Sequence, residues 1–451
     1  MAKVGVIGGG AAGLAAASKL LEAGYEVVLF EKNQDLGGRC RTHQWQDEWL
    51  IRGAAAFIGG ETEIVDMCKL LNIYNPNEII SSREEMEFTV VHPKLGYALL
   101  GSFDAASILK SNVLPFSDKV RLGRALLSLI GTFVNAKESD PTSVVSMDDV
   151  NACEYFRAYS PAFVDYILEP VMNMYCGYGE DDYSLAWLGW LMASPRSWSA
   201  SQWTFADRGV GKLTQTMELR LSHHANCSLH LNSTVSRASP TPNGVAVWYD
   251  TTGAQVENPS SLELVDWLIV AVPGTIVPEI VPDLPPRFAR FFRTVEYVPH
   301  HILHMIIDNP PADTPFSLLL PTAEGYHAAS NIWLKPASSD PEKTLFYAEV
   351  KGDFGRKHFD RDEKFFLESV WRDACKAVPA LTECSTYAWH MQRNDIALCS
   401  RRKGYTTALR EFRKNRPMQR IRFAGDYLIN STVGQAMRSG IDAADSIIGH
   451  Y

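Results

Sequence analysis

The residues best suited to chemistry stand near the start of the chain, where Gly8, Gly10 and Gly13 form a G-x-G-x-x-G pattern. The pattern follows a short apolar run, KVGVI, and opens an amphipathic stretch, so it predicts a strand, a tight turn and a helix. Gly8 permits the turn, Gly10 lets backbone amides approach a pyrophosphate, and Gly13 allows the helix to pack closely on the strand. The N–H groups of Ala11 and Ala12 would then offer the positive end of the helix to phosphates.

An acidic residue, Glu31, follows the second apolar run, EVVLF, at the distance expected of a carboxylate that binds a ribose. Its oxygens can accept hydrogen bonds from ribose hydroxyls, and Lys32 adjoins it. The glycine pattern alone would be a weak signal. Together with Glu31 and the strand–turn–helix setting, it predicts that the chain binds an adenine dinucleotide.

Residues 37–42, GGRCRT, place two glycines and two arginines shortly after this acid. A domain that binds only NAD has no need of a second glycine–arginine loop, whereas a flavin must extend back across the sheet towards a second domain. Gly37 and Gly38 would allow close backbone approach, and Arg39 would offer a charged fork to phosphate or ribityl oxygens. This loop therefore favours a flavin over nicotinamide.

The elements that must position these loops predict an α/β fold. Strand, helix and strand in the first 31 residues indicate a right-handed crossover in a doubly wound parallel sheet. Changes in pattern along the chain then predict two interleaved domains, each assembled from separate pieces. The predicted cofactor domain comprises residues 1–80, 203–290 and 389–451, and the predicted α+β substrate domain comprises residues 81–202 and 291–388.

Three local patterns give expectations that a structure can check. EFTVVHPKLGYALL predicts a hairpin that turns at residues 92–96, and ELVDWLIVAVP predicts one buried strand that stops at Pro273. Aromatic side chains are dense over residues 172–203, as in a pocket for an apolar substrate. For Trp187, Trp190 or Trp198 taken singly, a place in the core is the favoured interpretation.

The composition disfavours several classes of protein. Hydrophobic residues make up 46% of the chain and charged residues 21%, as in ordinary globular proteins. The net charge of −9 argues against nucleic acid and against an anionic membrane surface as partners. No stretch reaches the roughly 18 apolar residues of a membrane span, which leaves peripheral contact with a bilayer open. The lack of C-x-x-C pairs and of a signal peptide predicts reduced thiols in a cytoplasmic protein.

Two further patterns resemble functional motifs but are not interpreted as such. His300, His301 and His304 are a candidate metal set, but alternation along a strand places His301 on the opposite face from the other two. No metal is therefore predicted. GVGKLT is similar to a phosphate-binding loop, yet its first glycine is missing and Leu213 follows its lysine.

The motifs resemble those of the superfamily of flavin-containing amine oxidases and protoporphyrinogen oxidases, which includes phytoene desaturase-like enzymes. GGGAAGL, Glu31 and LGGRCRT are similar to its amino-terminal motifs, and FAGDYLINSTVGQAMRSG is similar to its closing segment, with the spacing of the protoporphyrinogen oxidase-like variant. DRGVGKLTQTMELRL, STV and DWLIVAVP resemble central segments, while the substrate-domain segments match loosely. The resemblance implies a glutathione-reductase-type Rossmann domain that binds FAD.

The resemblance also implies which residues meet the FAD. Gly425 and Asp426 would meet the pyrophosphate and ribityl chain, and the start of the last helix would lie beneath the pyrimidine edge. Helix-end amides there would stabilise the negative charge of reduced flavin. The full set implied is Gly8, Gly10, Ala11, Ala12, Gly13, Glu31, Lys32, Gly38, Arg39, Gly53, Ala54, Val235 (through its backbone, on adenine), Gly425, Asp426, Val433, Gly434, Ala436 and Met437.

The chain departs from the family pattern at three places. STVGQAMRSG has no cysteine, which implies that the FAD is bound non-covalently. That stretch has no aromatic residue and VEYVPHHILHMII has no lysine, so the usual surroundings of a simple amine substrate are not found. Arg52 replaces the family's acidic residue before Gly53 and would give the pocket a positive charge.

The predicted function is that of an FAD-dependent oxidase or dehydrogenase. It would take hydride from a C–N or activated C–C bond of an apolar small molecule, cyclic or similar to a secondary metabolite. No second G-x-G-x-x-G follows a later strand, so electrons are expected to pass to O₂ or another acceptor. No catalytic base is singled out, and the candidates for the pocket walls are Tyr175, Trp333, Trp389 and Tyr405.

Two alternatives remain open at this point. The first is a flavin-dependent desaturase or double-bond isomerase that acts on a polyene or acyl chain, for which the aromatic region 172–203 is the motive. The second is a flavoprotein without enzymatic activity. The oligomeric state, the substrate and the acceptor are not specified by the sequence.

Overall fold

The computed structural model describes residues 1–81, 88–101, 108, 110–137, 140–194, 202–251, 261–312, 314–338, 340–415 and 418–449. Its strands are β1 (Lys3–Ile7), β2 (Glu26–Phe30), β3 (Thr42–Trp45), β4 (Glu48–Ile51), β5 (Phe57–Ile58), β6 (Ile79–Ser81), β7 (Phe88–His92), β8 (Gly96–Gly101), β9 (Gln202–Phe205), β10 (Cys227–His230), β11 (Thr234–Pro240), β12 (Val245–Asp250), β13 (Ser261–Val265), β14 (Trp267–Val270), β15 (Tyr297–Val298), β16 (Ile302–Asp308), β17 (Ser317–Leu319), β18 (Ala329–Pro336), β19 (Lys343–Val350), β20 (Thr386–Gln392), β21 (Leu398–Cys399) and β22 (Ile421–Phe423). Its α-helices are α1 (Ala11–Glu22), α2 (Thr62–Leu70), α3 (Phe116–Ser128), α4 (Ile130–Asn135), α5 (Ala152–Arg157), α6 (Pro161–Phe163), α7 (Glu169–Cys176), α8 (Leu185–Ala193), α9 (Gly211–Ser222), α10 (Val277–Ile280), α11 (Pro286–Phe292), α12 (Gly352–Lys357), α13 (Glu363–Ala377), α14 (Tyr405–Lys414) and α15 (Val433–Ile448).

The first sheet is parallel throughout and has the strand order β10-β2-β1-β14-β22. Its central strands are continuous apolar runs, because helices and a second sheet cover both faces. Ile7 pairs with Phe30 on one side and with Val270 on the other, and Val270 pairs with Phe423. The carboxyl ends of four strands therefore meet at one edge, and the predicted Rossmann α/β fold is confirmed.

Helices α1 and α15 pack against each other at close range on one face of this sheet. A Cβ on Gly440 would lie 2.0 Å from the carbonyl oxygen of Ala12, so only glycine permits this approach. Leu14, Leu20 and Met437 are buried in the same apolar cluster. The amino-terminal and carboxy-terminal ends of the chain thus share one core.

The other face of the parallel sheet is covered by an antiparallel sheet of order β11-β12-β13. Here ELVDWLIVAVP differs from its prediction, because it forms two strands and not one. Asp266 separates β13 from β14, accepts a hydrogen bond from the Lys3 N–H at 2.7 Å, and lets the chain change sheets. β14 ends at Val270, three residues before the predicted stop at Pro273.

A mixed sheet of seven strands has the order β20-β16-β19-β18-β17-β7-β8. The predicted hairpin is confirmed as β7 and β8, with His92 paired to Gly96, while its first residue, Glu87, lies outside the described residues. One face of the sheet packs on α13 through Phe366, Val370 and Ala374. The opposite face is covered at one end by the helical layer, through Phe88 and Leu319, and at the other end by β3, through Trp45. The strip between them, on β18 and β19, can line a site.

Helices α3 to α8 form a layer with its own apolar cluster, in which Trp187 and Trp190 are fully buried. The core interpretation is confirmed for these two side chains, and Trp198 lies outside the described residues. Within the described part of the chain, no helix has both the length and the apolar character needed to cross a bilayer. The domain limits stay a prediction.

Candidate functional site

The glycine loop lies at the carboxyl end of β1. Gly8 has φ +101°, and a Cβ there would lie 2.6 Å from the carbonyl oxygen of Ala271, just after β14. A Cβ on Gly13 would lie 1.8 Å from the Gly8 carbonyl oxygen, as expected of a helix packed tightly on its strand. At Gly10, by contrast, no atom lies within 4 Å of the Cβ position. The loop is thus open at Gly10, where a ligand would approach the start of α1.

Glu31 is buried immediately after β2 and is already hydrogen-bonded by the protein. One carboxylate oxygen accepts from the Gly9 N–H at 2.8 Å, and the other accepts from the backbone and side-chain nitrogens of Asn33 at 3.0 and 2.6 Å. The Ser233 N–H donates to the Glu31 carbonyl, which brings the start of β11 beside this acid. The Val235 side chain is buried, which is compatible with a contact through its backbone.

The GGRCRT loop lies directly against the glycine loop. The Gly37 N–H donates to the Gly9 carbonyl at 2.8 Å, and a Cβ on Gly38 would lie 3.4 Å from the Cα of Gly10. Gly37 has φ +103°, a backbone conformation that favours glycine. The Ala54 N–H donates to the Arg39 carbonyl at 3.0 Å, so the loop that contains Gly53 and Ala54 lies beside it.

Arg39 connects this loop to the carboxy-terminal segment. Its Nη1 lies 3.1 Å from Oδ2 of Asp426, whose Oδ1 accepts a hydrogen bond from the Tyr297 hydroxyl at 2.8 Å. Burial alone would raise the pKa of Asp426, but the charge and hydrogen bond of Arg39, together with the Tyr297 hydrogen bond and the charge of Arg401, outweigh burial and lower it. The Arg39 side chain is 35% exposed, so it can still meet a ligand.

Helix α15 begins at a buried carboxylate that the sequence did not indicate. Glu61 accepts hydrogen bonds from the Gly434 N–H at 3.1 Å, the Ile58 N–H at 3.4 Å and the Thr432 hydroxyl. Burial raises the pKa of Glu61 to about 7. A Cβ on Gly434 would lie 2.6 Å from the Glu61 carboxyl carbon, so the glycine is needed for this contact.

The residues at the start of α15 have unequal access to a ligand. The Val433 and Met437 side chains are buried in the core, which leaves only their backbone for the predicted contact. Gln435 is fully buried, and neither its amide oxygen nor its amide nitrogen has a hydrogen-bond partner among the described residues. Such an unpaired amide is costly unless a ligand or water completes it. The open loop at Gly10 and this amide fit a bound FAD.

Two of the four predicted pocket residues are brought together. Tyr175 and Trp333 each lie 6.1 Å from Phe88, measured between ring centroids. Trp389 lies away from them on the edge strand β20. Tyr405 is buried in another cluster and donates to the Tyr427 carbonyl at 2.7 Å. Trp389 and Tyr405 were predicted from residue type alone, and residue type does not show where the fold places a side chain.

Polar side chains accompany the aromatic group on the face of the seven-stranded sheet opposite α13. Asn331 pairs with Glu349 across β18 and β19, and when its amide is oriented with the nitrogen towards Glu349 it donates to the carboxylate at 3.0 Å. The Tyr347 hydroxyl also donates to this carboxylate, and His300 Nε2 lies 3.5 Å from it. This group was not among the residues predicted from the sequence. The pattern that could have indicated it is the alternation of side chains along the strands NIWLK and FYAEV, which puts Asn331, Tyr347 and Glu349 on one face of the sheet.

The sheet also separates the three histidines as predicted. His301 packs on Phe366 of α13, whereas His304 lies on the opposite face beside Tyr347 and His390. Burial lowers the pKa of His304 to about 3. Among the residues described, no group of three His, Cys, Asp or Glu side chains is arranged to hold a metal ion.

Arg52, which was expected to give the pocket a positive charge, has an acidic partner. Its two terminal nitrogens lie 3.1 and 3.2 Å from the two carboxylate oxygens of Asp35. The sequence did not show this partner, because Asp35 precedes the GGRCRT loop and is 17 positions from Arg52 in the chain. The fold brings the two side chains together. The charge of Arg52 is therefore paired.

Comparison with known sequences agrees with this geometry. Residues 11–448 match the family described as flavin containing amine oxidoreductase. The chain is 23% identical to mitochondrial protoporphyrinogen oxidase of Nicotiana tabacum over 99% of this chain and 95% of that protein. It is 25% identical to protoporphyrinogen oxidase 2 (chloroplastic/mitochondrial) of Arabidopsis thaliana, but that match spans 38% of this chain and only 32% of the relative.

Solved structures share the whole architecture. A triple mutant of putrescine oxidase, redesigned in its cofactor binding, gives a TM-score of 0.79 at 15% identity, with 100% of this chain and 99% of that chain covered. A CLA-producing fatty acid isomerase from P. acnes gives a TM-score of 0.73 at 14% identity, with 99% and 98% covered. At these identities the likeness shows a common fold.

Proposed function

The chain belongs to the family of flavin-containing amine oxidoreductases and is an FAD-dependent oxidoreductase, and we propose that it oxidises a carbon next to nitrogen in an apolar, cyclic substrate. The electrons would pass to O₂ or another acceptor. The observation that supports this most strongly is the strip on β18 and β19, on the face opposite α13, where aromatic rings stand beside the buried carboxylate of Glu349.

The residues proposed to hold the FAD are those that converge at the edge of the parallel sheet. Gly10 and Gly38 would face the pyrophosphate, Arg39 the phosphate or ribityl oxygens, and Gln435 the flavin end at α15. When bound, the flavin supplies the acceptor for hydride. With no cysteine in STVGQAMRSG, we propose that attachment is non-covalent.

The pocket proposed for the substrate is shaped by this chain's own side chains. Trp333 and Tyr347 remain partly exposed although they lie on the central strands β18 and β19, so open space faces them. Together with Tyr175 they would orient an apolar ring and exclude water. Glu349 would accept a hydrogen bond from a substrate N–H, or pair with its cation.

One amide connects this pocket to the proposed flavin loop. The side-chain nitrogen of Asn394 donates to the carbonyls of Arg52 and His300. Arg52 precedes Gly53 and Ala54, which we propose run along the flavin, and His300 lies beside Glu349. The polar end of the pocket is therefore held near the proposed flavin loop.

The test is anaerobic reduction of the bound flavin, followed by its visible absorbance. Apolar cyclic compounds with a ring N–H should bleach the flavin, and carbocycles of the same shape should not. Small molecules released by heat from the purified protein, identified by mass, would supply the first candidates. Conversion of a substrate without any flavin reduction would refute oxidation by hydride transfer.

A second candidate is isomerisation or desaturation of a long apolar chain. The aromatic group around Phe88 and the shared fold with a fatty acid isomerase favour it. A product of unchanged mass, formed without hydrogen peroxide, would support isomerisation. A product two hydrogens lighter would support a desaturase, and Glu349 would then have no nitrogen to bind.

A further inference from the structure

Arg401 is a buried cation to which, in the part of the chain that the structure describes, no carboxylate is hydrogen-bonded. It is 1% exposed, and its two terminal nitrogens donate to the main-chain carbonyls of Asp426 and Tyr427 at 2.7 and 3.1 Å. Its Cζ lies 4.7 Å from the centre of the Tyr405 ring, and its Nε has no hydrogen-bond partner among the described residues. Burial of a charge is costly unless an opposite charge lies close to it.

The carbonyls that Arg401 contacts do not need it as a donor. The Asp426 carbonyl also accepts from the Ile429 N–H at 3.2 Å, and the Tyr427 carbonyl also accepts from the Tyr405 hydroxyl at 2.7 Å. Removal of the guanidinium would therefore leave both oxygens with a partner. The hydrogen bonds of this segment do not explain why an arginine is buried here.

The acids beside Arg401 are already paired with other cations. The Asp426 carboxylate lies 3.1 Å from Arg39. Asp182 accepts a hydrogen bond from the Arg401 N–H through its main-chain carbonyl, but its carboxylate pairs with Arg356 at 2.6 Å. Arg39, Arg401 and Asp426 are thus two cations and one anion, and this set has an excess of positive charge.

We propose that Arg401 is a positioning residue for the FAD, and that its buried charge is offset when the pyrophosphate of the cofactor binds. This inference rests on the cofactor site proposed above. Arg39 connects the Asp426 segment to the loop against Gly10, where the pyrophosphate would lie. The pyrophosphate is an anion, and charges attract strongly over such distances when water is excluded. Arg401 would act from behind the segment, by its charge and by holding the main chain of Asp426.

The proposed role gives Arg401 opposite effects on the chain without FAD and the chain with FAD. Without FAD, a buried cation in excess opposes folding, because folding removes its hydration and supplies no anion in return. With FAD bound, the same cation attracts the pyrophosphate, and the affinity gained adds to the stability of the folded chain. An arginine with a purely structural role would stabilise both forms alike.

The test is urea unfolding of the full-length chain at a series of FAD concentrations, together with FAD titration followed by flavin fluorescence. Arg401→Met keeps an apolar stem without the charge, and it should weaken FAD binding about 10-fold or more. Its unfolding midpoint without FAD should equal or exceed that of the parent. Arg401→Lys keeps the charge, so it should retain more affinity for FAD than Arg401→Met does.

Arg422→Met is the matched control. Arg422 is also buried, donates to the main-chain carbonyls of Met418 and Ile421, and has its Cζ 4.9 Å from the centre of the Trp267 ring. Its Nε donates to Ser446, near the end of α15 and away from the helix start proposed for the flavin. Arg422→Met should therefore change stability equally with and without FAD, and it should leave the affinity for FAD unaltered.

The possible failures are distinguishable. Equal loss of stability with and without FAD in Arg401→Met would overturn the proposal, and so would failure of that variant to fold when FAD is absent. A parent and an Arg401→Met variant that bind FAD equally well would refute the role of Arg401 alone. A parent chain that binds no FAD would refute the proposed cofactor site itself.

Discussion

Replacing Glu61 by glutamine tests whether one buried carboxylate sets the pH dependence of stability. Glu61 is 1% exposed, lies at the start of α15, and accepts hydrogen bonds from Gly434, Ile58 and Thr432. Glutamine has nearly the same shape and can still accept from the Gly434 N–H, while the Thr432 hydroxyl can rotate to accept from the new amide. The substitution therefore removes the titration and preserves most of the packing.

The direction and size of the effect follow from the raised pKa of Glu61. Burial raises this pKa from 4.5 to about 7. Below pH 4.5 the group is protonated in both states. Between pH 4.5 and about 7 the unfolded chain loses the proton while the folded chain keeps it, so the free energy of unfolding falls as pH rises. The difference in pKa corresponds to about 3 kcal/mol, fully lost above pH 7.

The assay is urea unfolding of parent and Glu61→Gln at a series of pH values from 4.5 to 8. The two proteins should be nearly equally stable at pH 4.5, and the variant should gain up to about 3 kcal/mol over the parent by pH 8. Glu63→Gln is the matched control, since Glu63 is a second buried acid, on α2, 3.7 Å from Arg438. Parallel stability curves for parent and Glu61→Gln would refute the reasoning, as would an equal effect of Glu63→Gln.

Four further substitutions separate the proposed cofactor cradle from the proposed pocket. Gly10→Val should lose FAD, measured by the flavin absorbance of the purified protein, yet keep the circular dichroism of the apo fold, because the space at Gly10 is open. Gly13→Val should lose the fold too, since its Cβ would meet the Gly8 carbonyl. Arg39→Met should weaken FAD binding and lower the unfolding free energy by about 1–3 kcal/mol, because it leaves a buried acid without its charged partner; unchanged FAD titrations and unfolding curves would contradict this. Glu349→Gln should raise KM about 10-fold or more for a substrate with N–H while the flavin content stays constant. An unchanged KM would show that Glu349 does not take part in substrate recognition.

The glycine loops could be predicted because their requirements are local. A positive φ at Gly8 and Gly37 and the close approach of Gly13 to Gly8 leave a signature in the residue types themselves. The order strand, helix, strand then constrains the parallel sheet through the handedness of the crossover. For the same reason, the hairpin at residues 92–96 was placed correctly from its turn.

The missed features depend on contacts between distant parts of the chain. Glu61 meets Gly434 across 373 positions, and no local pattern relates the two. Glu349 faces Asn331 only because β18 and β19 pair in one register. The break at Asp266 arises because neighbouring segments join different sheets, whereas hydropathy shows only that both are apolar.

Two chains of polar contacts give a reason why the proposed cofactor and substrate sites would be shaped together. Tyr297, which begins β15, donates to Asp426, and Asp426 is in turn paired with Arg39 of the loop against Gly10. Asn394 makes the second link, from the Arg52 carbonyl to His300 beside Glu349. Both links consist of partly or wholly buried polar groups with specific partners, and such contacts favour one geometry, whereas apolar contacts alone would allow the segments to slide. Ordering of the loops by a bound flavin would therefore also fix where the carboxylate of Glu349 stands, so the recognition of a nitrogen-bearing substrate should depend on a filled cofactor site.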